Sequence, residues 1–445
     1  MRVPETGATP SSPLTGNAAA SYRHARRQCP AVARVVLGWI LLSAVACVSN
    51  SQPAAPANAI RIGTVLPFSG ERAASGVALE SALRLAIEVV NSAGGLDGRP
   101  LWLEVRDSHS DDTRGTANAL DILNNDQVPF FIGPEEPTIA YQITNTIKAR
   151  HMVHLMPGLT SPQFHDPSAK AAWFRLSPSV KYLACALAKT MLKDGISVAN
   201  LVIDPDDYSG TFATVFDRVF TSQGGTMVPT LRVGANNTTF ADIFEVNGRY
   251  GADATVLMTS PRVAAQFLQE WAVRGKPGKW YLGPTLNNPE LLRNVPVGVM
   301  EGMKGVSADL GGQAALFSAY FEARTAFVPL TGSNYYFDAV ALLALAVNHG
   351  IATSGTIPDP AALKTEMLAV TSAAGEAVAF DQLARGLALV KSGQKIQYQG
   401  AAGTYVLDAL GDSTQTRGSI WQVQGASFVD VDSEQCVPTE VDNGT

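Results

Sequence analysis

The dominant feature of this chain is a rhythm of short apolar runs separated by longer stretches with helical spacing. Ile60–Leu66, Leu101–Arg106, Pro129–Ile132 and Val153–Met156 read as buried strands. Between the first two, Leu79, Leu83, Ala86, Ile87 and Val90 fall on one face of a helix. The pattern returns in Ala199–Ile203, Thr226–Val233, Ala254–Met258 and Trp280–Gly283, with helical stretches near 209–223, 238–249 and 262–274. Strands alternating with helices argue for parallel sheets covered on both faces. Two sets of four or more strands are too many for one ordinary doubly wound layer, so two α/β lobes are expected. Phe174–Ser179 is the expected crossover between them.

The 445 residues are 46% apolar and 16% charged, enough to bury one or two sizeable cores, which excludes disorder along the whole chain. The net charge of −6 argues against electrostatic binding to nucleic acid. That charge is unevenly placed. Residues 1–46 contain Arg2, Arg23, Arg26, Arg27, Arg34 and only Glu5, a net +4 that leaves −10 on the rest.

Arg23, Arg26, Arg27 and Arg34 closely precede the 14-residue apolar run from Val35 to Val48, too short to span a bilayer as a helix and closed by Ser43-Ala44-Val45-Ala46-Cys47. Basic, apolar and small-residue segments in that order form a secretory signal over 1–46. Cys47 directly after Ala46 resembles a lipoprotein signal, in which the cysteine is acylated; an ordinary signal with a chance cysteine is the other reading. The small, polar residues of 47–59 suit a flexible tether. In the oxidising compartment beyond, Cys185 and Cys436 either pair or stay as two buried thiols, and sequence leaves both open.

Particular residues then match a known family. Ile62-Gly63-Thr64-Val65-Leu66-Pro67-Phe68-Ser69-Gly70 and Val89-Val90-Asn91-Ser92-Ala93-Gly94-Gly95-Leu96-Asp97-Gly98-Arg99 resemble periplasmic binding proteins of the leucine/isoleucine/valine type. So do Asp107 with Asp111, Ile132-Gly133-Pro134, Pro157 to Pro162, Trp173-Phe174-Arg175, Asp207-Tyr208-Ser209-Gly210, Gly224-Gly225, Ala252-Asp253-Ala254 and Tyr335-Tyr336-Phe337-Asp338-Ala339, in the expected order. The resemblance runs from about 60 to 430. It implies two Rossmann-like lobes, the periplasmic binding protein-like I fold, joined by three crossovers with a ligand cleft between them. By that likeness the first lobe is 60–176 with 306–400, and the second is 177–305 with 401–445. Gly403–Asp412 would return the chain to the second lobe.

Ligands of open parallel sheets sit beyond the carboxyl ends of the strands. On the first lobe this points to Ser69 and Ser75 in the loop after Ile60–Leu66, to Glu136 and Pro137 after Phe130–Ile132, and to Gly158, Leu159 and Thr160 after Val153–Met156. The resemblance makes Thr160 a carboxylate-binding threonine and puts Glu136 where amino-acid binders carry a serine for the same carboxylate. Glu136 would repel that group, and Pro137 offers no N–H. Alternatively, Glu135 and Glu136 are exposed acids favouring the helix N-terminus. On the second lobe, Tyr208 matches an aromatic that closes over the ligand, or else packs beneath its helix. Ser260 and Thr285 match a tyrosine and the acid that holds an ammonium group, so that charge anchor is missing. Leucine and valine are therefore expected to bind weakly. If Glu136 faces the cleft, cationic or amide-bearing solutes are preferred.

No cofactor is expected. Gly-x-Ser-x-Gly, P-loop and Gly-x-Gly-x-x-Gly motifs are absent from the sequence. His151-x-x-His154 lacks an acid or cysteine at metal-supporting spacing. Asp107–Asp112 begins like a calcium loop but lacks its glycine and final glutamate; Asp111 or Asp112 is expected to cap the next helix. An enzyme is not expected. The resemblance implies a monomeric, membrane-anchored solute-binding lipoprotein at the periplasm or cell surface, partnered by an ABC permease and ATPase. The same fold also serves ligand-sensing receptors acting through a membrane partner.

Overall fold

The computed structural model describes residues 54–441 apart from 71, 127, 161–163, 165–172, 235–236, 238, 277, 311, 409–410 and 415. The expected signal region, Cys47 and the start of the tether lie outside the described residues.

The first sheet contains β1 (Ile60–Leu66), β2 (Leu101–Asp107), β3 (Phe130–Ile132), β4 (Val153–Met156) and β5 (Trp173–Arg175), all parallel, in the order β2-β1-β3-β4-β5. Successive side chains take opposite faces. Phe130 and Ile132 enter the core beneath helices Ala73–Ser92 and Ser333–Ser354, while Phe131 enters the one beneath Asp112–Asn125 and Pro137–Ala149. The five positions read as one helical face, Leu79 to Val90, are all buried there. Helix Ser333–Ser354 is long and apolar enough to cross a membrane, but it is buried along most of its length in the first core, as a helix apolar on all sides must be.

The second sheet is built from β6 (Val198–Ile203), β7 (Thr226–Met227), β8 (Leu231–Arg232), β9 (Ala254–Met258), β10 (Lys279–Leu282) and β11 (Lys304–Ala308), which run parallel. A third, small sheet packs against the first core: β12 (Glu376–Ala379), β13 (Ile396–Gly400) and β14 (Gly403–Thr404). The antiparallel pair β15 (Arg417–Gln424) and β16 (Ser427–Gln435) then extends the second sheet beyond β11. The stretch expected as one strand over Thr226–Val233 is two, flanking Pro229, which has no N–H for a ladder.

The chain passes between the two lobes three times, after β5, β11 and β14. Two of these passages come later than expected. Val306, placed at 306–400 in the first lobe, instead sits in the second core opposite Ile420 of β15, so the passage follows Ala308. Ala401, Ala402, Tyr405 and Leu407, assigned to the second lobe, belong to the first core. The cause is Asp338 on the central helix. Its carboxylate accepts from Tyr398 and Tyr405 hydroxyls at 2.7 and 2.9 Å and from Ala401 and Ala402 N–H groups at 2.8 Å each. The chain therefore leaves between Leu407 and Arg417, where Asp412 runs beside buried Arg175 and pairs with it at 3.3 Å.

Cys185 of helix Val180–Lys193 is joined to Cys436, just past β16, by a disulfide spanning 251 residues. Lys189 also bonds Glu440 at 2.6 Å, so the segment Cys436–Glu440 is held to that helix by both bonds.

Candidate functional site

The carboxyl ends of the two sheets meet where Thr160, four residues after β4, shares a hydroxyl–hydroxyl hydrogen bond with Tyr208, five residues after β6. Burial pushes the Tyr208 phenol up to about 12 against the pull of Thr160, so it is a neutral hydroxyl. Asp206 places it by capping helix Asp207–Ser222, accepting from Ser209 N–H at 2.7 Å. A second contact across the lobes runs from the Thr331 hydroxyl to the Asn287 carbonyl at 3.4 Å.

On the first lobe, Ser69 is committed to its own loop. Its hydroxyl donates to Asp107 Oδ2 at 2.8 Å, while Phe68, Ser69 and His109 N–H groups converge on Oδ1. Burial raises the Asp107 carboxyl, but these donors outweigh it and hold it below the usual range. His109 Nδ1 lies 2.8 Å from Ser69 Oγ and 3.1 Å from Asp107 Oδ2. This Ser–His–Asp trio is no nucleophile relay, because both partners use one ring nitrogen where a relay needs opposite ones. Asp111 caps the next helix, accepting from Arg114 N–H.

The loop after β3 turns at Gly133, with φ +85° and a cis bond to Pro134. A Cβ at Gly133 would fall 2.9 Å from Tyr336 Oη, so glycine is required for space as well as for backbone. The Gly133 carbonyl lies 2.5 Å from His154 Nε2. Burial lowers His154 to about 4, so at neutral pH the ring is neutral and Nε2–H donates. His151 is exposed, on the turn before β4, whereas His154 is buried.

Glu136 begins helix Pro137–Ala149 without capping it. The view of it as an exposed first-turn acid is overturned: it is 2% exposed, 2.9 Å from Arg72 Nη2, and accepts from Ser108 Oγ at 3.0 Å. Glu135 beside it takes the Ser75 hydroxyl at 3.1 Å. Burial pushes the Glu135 carboxyl up, opposed by Arg72 and reinforced by Glu136. Pro137 is exposed at the first turn, where its missing N–H is harmless. Gly158 borders Tyr336, while the Leu159 side chain lies in the core and only its backbone faces the loop.

On the second lobe, Ser260 caps helix Pro261–Val273 and its N–H donates to Asp204 Oδ2 at 2.7 Å. Thr285 is exposed and donates to the Thr259 carbonyl at 2.9 Å. Burial raises Asp204 to about 6, against the pull of Ser260 and Arg262, and its Oδ1 is buried with no hydrogen-bond partner among the described residues. Thus Glu136, Thr160 and Ser260 lie in the strand-end loops, while Ser75, expected in a loop, and Tyr208 lie in the first turns of helices Ala73–Ser92 and Asp207–Ser222. Sequence reasoning missed Arg72, Ser108, Asp204 and the ring of Tyr336. Tyr336 carried a signal inside the Tyr335–Ala339 motif, whereas Arg72 meets Glu136 only through folding.

Two doubly wound lobes, three passages and polar strand-end loops facing one another define the class of two-lobed ligand-binding proteins. The periplasmic binding protein family model matches residues 59–389, and the chain belongs to that family. It is similar to the Leu/Ile/Val-binding protein homolog 3 of Brucella melitensis, 29% identical over 27% of this chain and 33% of that one. The match thus spans about a third of the length of that curated relative. It is also similar to the chemotactic signal transduction system substrate-binding protein BasB of Halobacterium salinarum, 23% identical over 79% of this chain and 84% of that one. Among solved structures, the branched-chain amino acid transporter substrate-binding protein LivJ of Streptococcus pneumoniae, in complex with isoleucine, shares the fold with a TM-score of 0.68. That likeness is 16% identical and covers 85% of this chain and all of the other.

Proposed function

We propose that this protein is an extracytoplasmic solute-binding protein, anchored through an acylated Cys47, that captures a small polar solute by closing its two lobes and delivers it to an ABC importer. The observation that carries this reading is the Thr160–Tyr208 bond, which brings a strand-end hydroxyl from each lobe to one place. A solute held by both lobes gains contacts available only when they are shut, so it shifts the open–closed population by its differential affinity. Around Thr160 and Tyr208 the site offers Ser75, Glu136 and Ser260, with Thr285 toward the rim. The passages after β5 and β14 form the hinge, where the Arg175–Asp412 pair lies.

Small-angle scattering with and without a solute found by thermal-shift screening tests this. A reduced radius of gyration on binding is expected, and an unchanged profile with a tightly bound solute overturns closure. Loss of the protein from the membrane fraction on Cys47→Ala is the expected sign of the anchor. Likeness to a chemotactic substrate-binding protein over most of the chain favours a second reading, a receptor that reports the solute to a membrane partner.

A further inference from the structure

The first lobe places Glu135 and Glu136 side by side, with Arg72 the one cation against them among the described residues. Arg72 and Ser108 both serve Glu136 Oε1, and Oε2 of this 2%-exposed residue has no hydrogen-bond partner among the described residues. Tyr336, wholly buried, aims its Oη at the backbone of the same loop, 2.9 Å from where a Gly133 Cβ would be, and that hydroxyl also has no partner among the described residues. Its phenol is pushed well above its usual range by burial and then by Glu135 and Glu136, which places both carboxylates within its electrostatic reach. On the second lobe, Asp204, raised by burial, takes the Ser260 N–H through Oδ2 and is drawn down electrostatically by Arg262, while its Oδ1 is a further buried oxygen with no hydrogen-bond partner among the described residues.

A buried charge without a compensating partner is expensive, and an unmade hydrogen bond to it adds to that expense. Among the described residues, Arg72 and Arg262 stand against the three carboxylates of Glu135, Glu136 and Asp204, so a carboxylate solute would bring a further anion to a set still short of positive charge. A neutral solute would leave the excess charge unopposed. A cation with several N–H donors offsets both deficits at once.

Resting on the reading of this cleft as a solute site, we propose that its solute is a small organic cation, an amine, amidine or guanidine, received by Glu135 and Glu136 from the first lobe and Asp204 from the second. Tyr336 is a positioning residue that holds the β3 loop and orients the acidic pair. The selectivity is set by these carboxylates, while Thr160 and Tyr208 supply hydroxyl contacts to the rest of the solute.

Calorimetry on the purified full chain, with agmatine, putrescine and benzamidine set against leucine and benzoate, tests the inference. At least one of the three cations is expected to bind tenfold or more tighter than either acid. Glu136→Gln and Asp204→Asn, on separate lobes and so not sharing a folding defect, are each expected to weaken it at least tenfold. Tighter binding of leucine or benzoate, or cation binding untouched by both variants, overturns the inference and leaves solute capture standing. Absence of binding by all five overturns the inference, and absence across a wider solute library overturns the solute-binding reading with it.

Discussion

Arg72 Nη2 lies 2.9 Å from Glu136 Oε1, an ion pair whose cation is 40% exposed and whose carboxylate is 2% exposed. The asymmetry sets the consequence of breaking it. Arg72→Met leaves a buried anion with only Ser108 and should lower stability by about 1–2 kcal/mol, less than for a fully buried pair because water screens the arginine. The double variant Arg72→Met/Glu136→Gln should recover most of that loss in denaturant titrations. A double variant no more stable than Arg72→Met would locate the effect elsewhere.

The Thr160–Tyr208 bond predicts coupling between residues 48 positions apart. In a double-mutant cycle of Thr160→Val and Tyr208→Phe, without solute, the coupling energy should be about 0.5–1.5 kcal/mol. Strictly additive effects would mean that the two hydroxyls do not meet in solution.

His154 makes the fold sensitive to acid. Its folded value of about 4 lies below the usual 6.5 because burial disfavours the imidazolium, so between those values the unfolded chain binds a proton that the folded chain refuses. This contribution is intact above pH 6.5 and shrinks as pH falls toward 4, by about 3 kcal/mol in all. His154→Gln keeps a donor for the Gly133 carbonyl and should flatten stability over that range. Asp204, raised by burial to about 6, acts oppositely, its stability contribution falling as pH rises from about 4 to 6. Asp204→Asn should therefore steepen the acid loss. Parallel melting curves from pH 4 to 7 for wild type and both variants would contradict these assignments.

The Cys185–Cys436 bridge closes a loop of 251 residues, for which the chain-entropy model gives about 5 kcal/mol. Cys185→Ser/Cys436→Ser, or reduction, should destabilise the second lobe by about 2–5 kcal/mol and lower its thermal midpoint. An unchanged midpoint under reductant would show that Lys189–Glu440 and the surrounding core suffice.

Strand existence and parallel character were legible because period and composition are local: Ile60–Leu66 and Val153–Met156 match their strands to the residue. The lobe passages were less so. Nothing local separates Val306 from a first-lobe residue, or Tyr405 from a second-lobe one; each is assigned by its partner, Ile420 and Asp338. Site loops could be located because they follow strands, yet the duties of Ser69 and Leu159 within them depend on Asp107 and on the core.

Sequence by itself determined the alternation of strands and helices, hence two α/β lobes, and the strand-end loops on which a solute site must lie, since hydrophobic period and chain direction are properties of neighbouring residues. Only tertiary structure decided that Glu136 is buried against Arg72, that Asp204 keeps an unpaired oxygen, and that Thr160 touches Tyr208. Those outcomes depend on residues far apart in the chain, whose desolvation and pairing exist only once the lobes have packed.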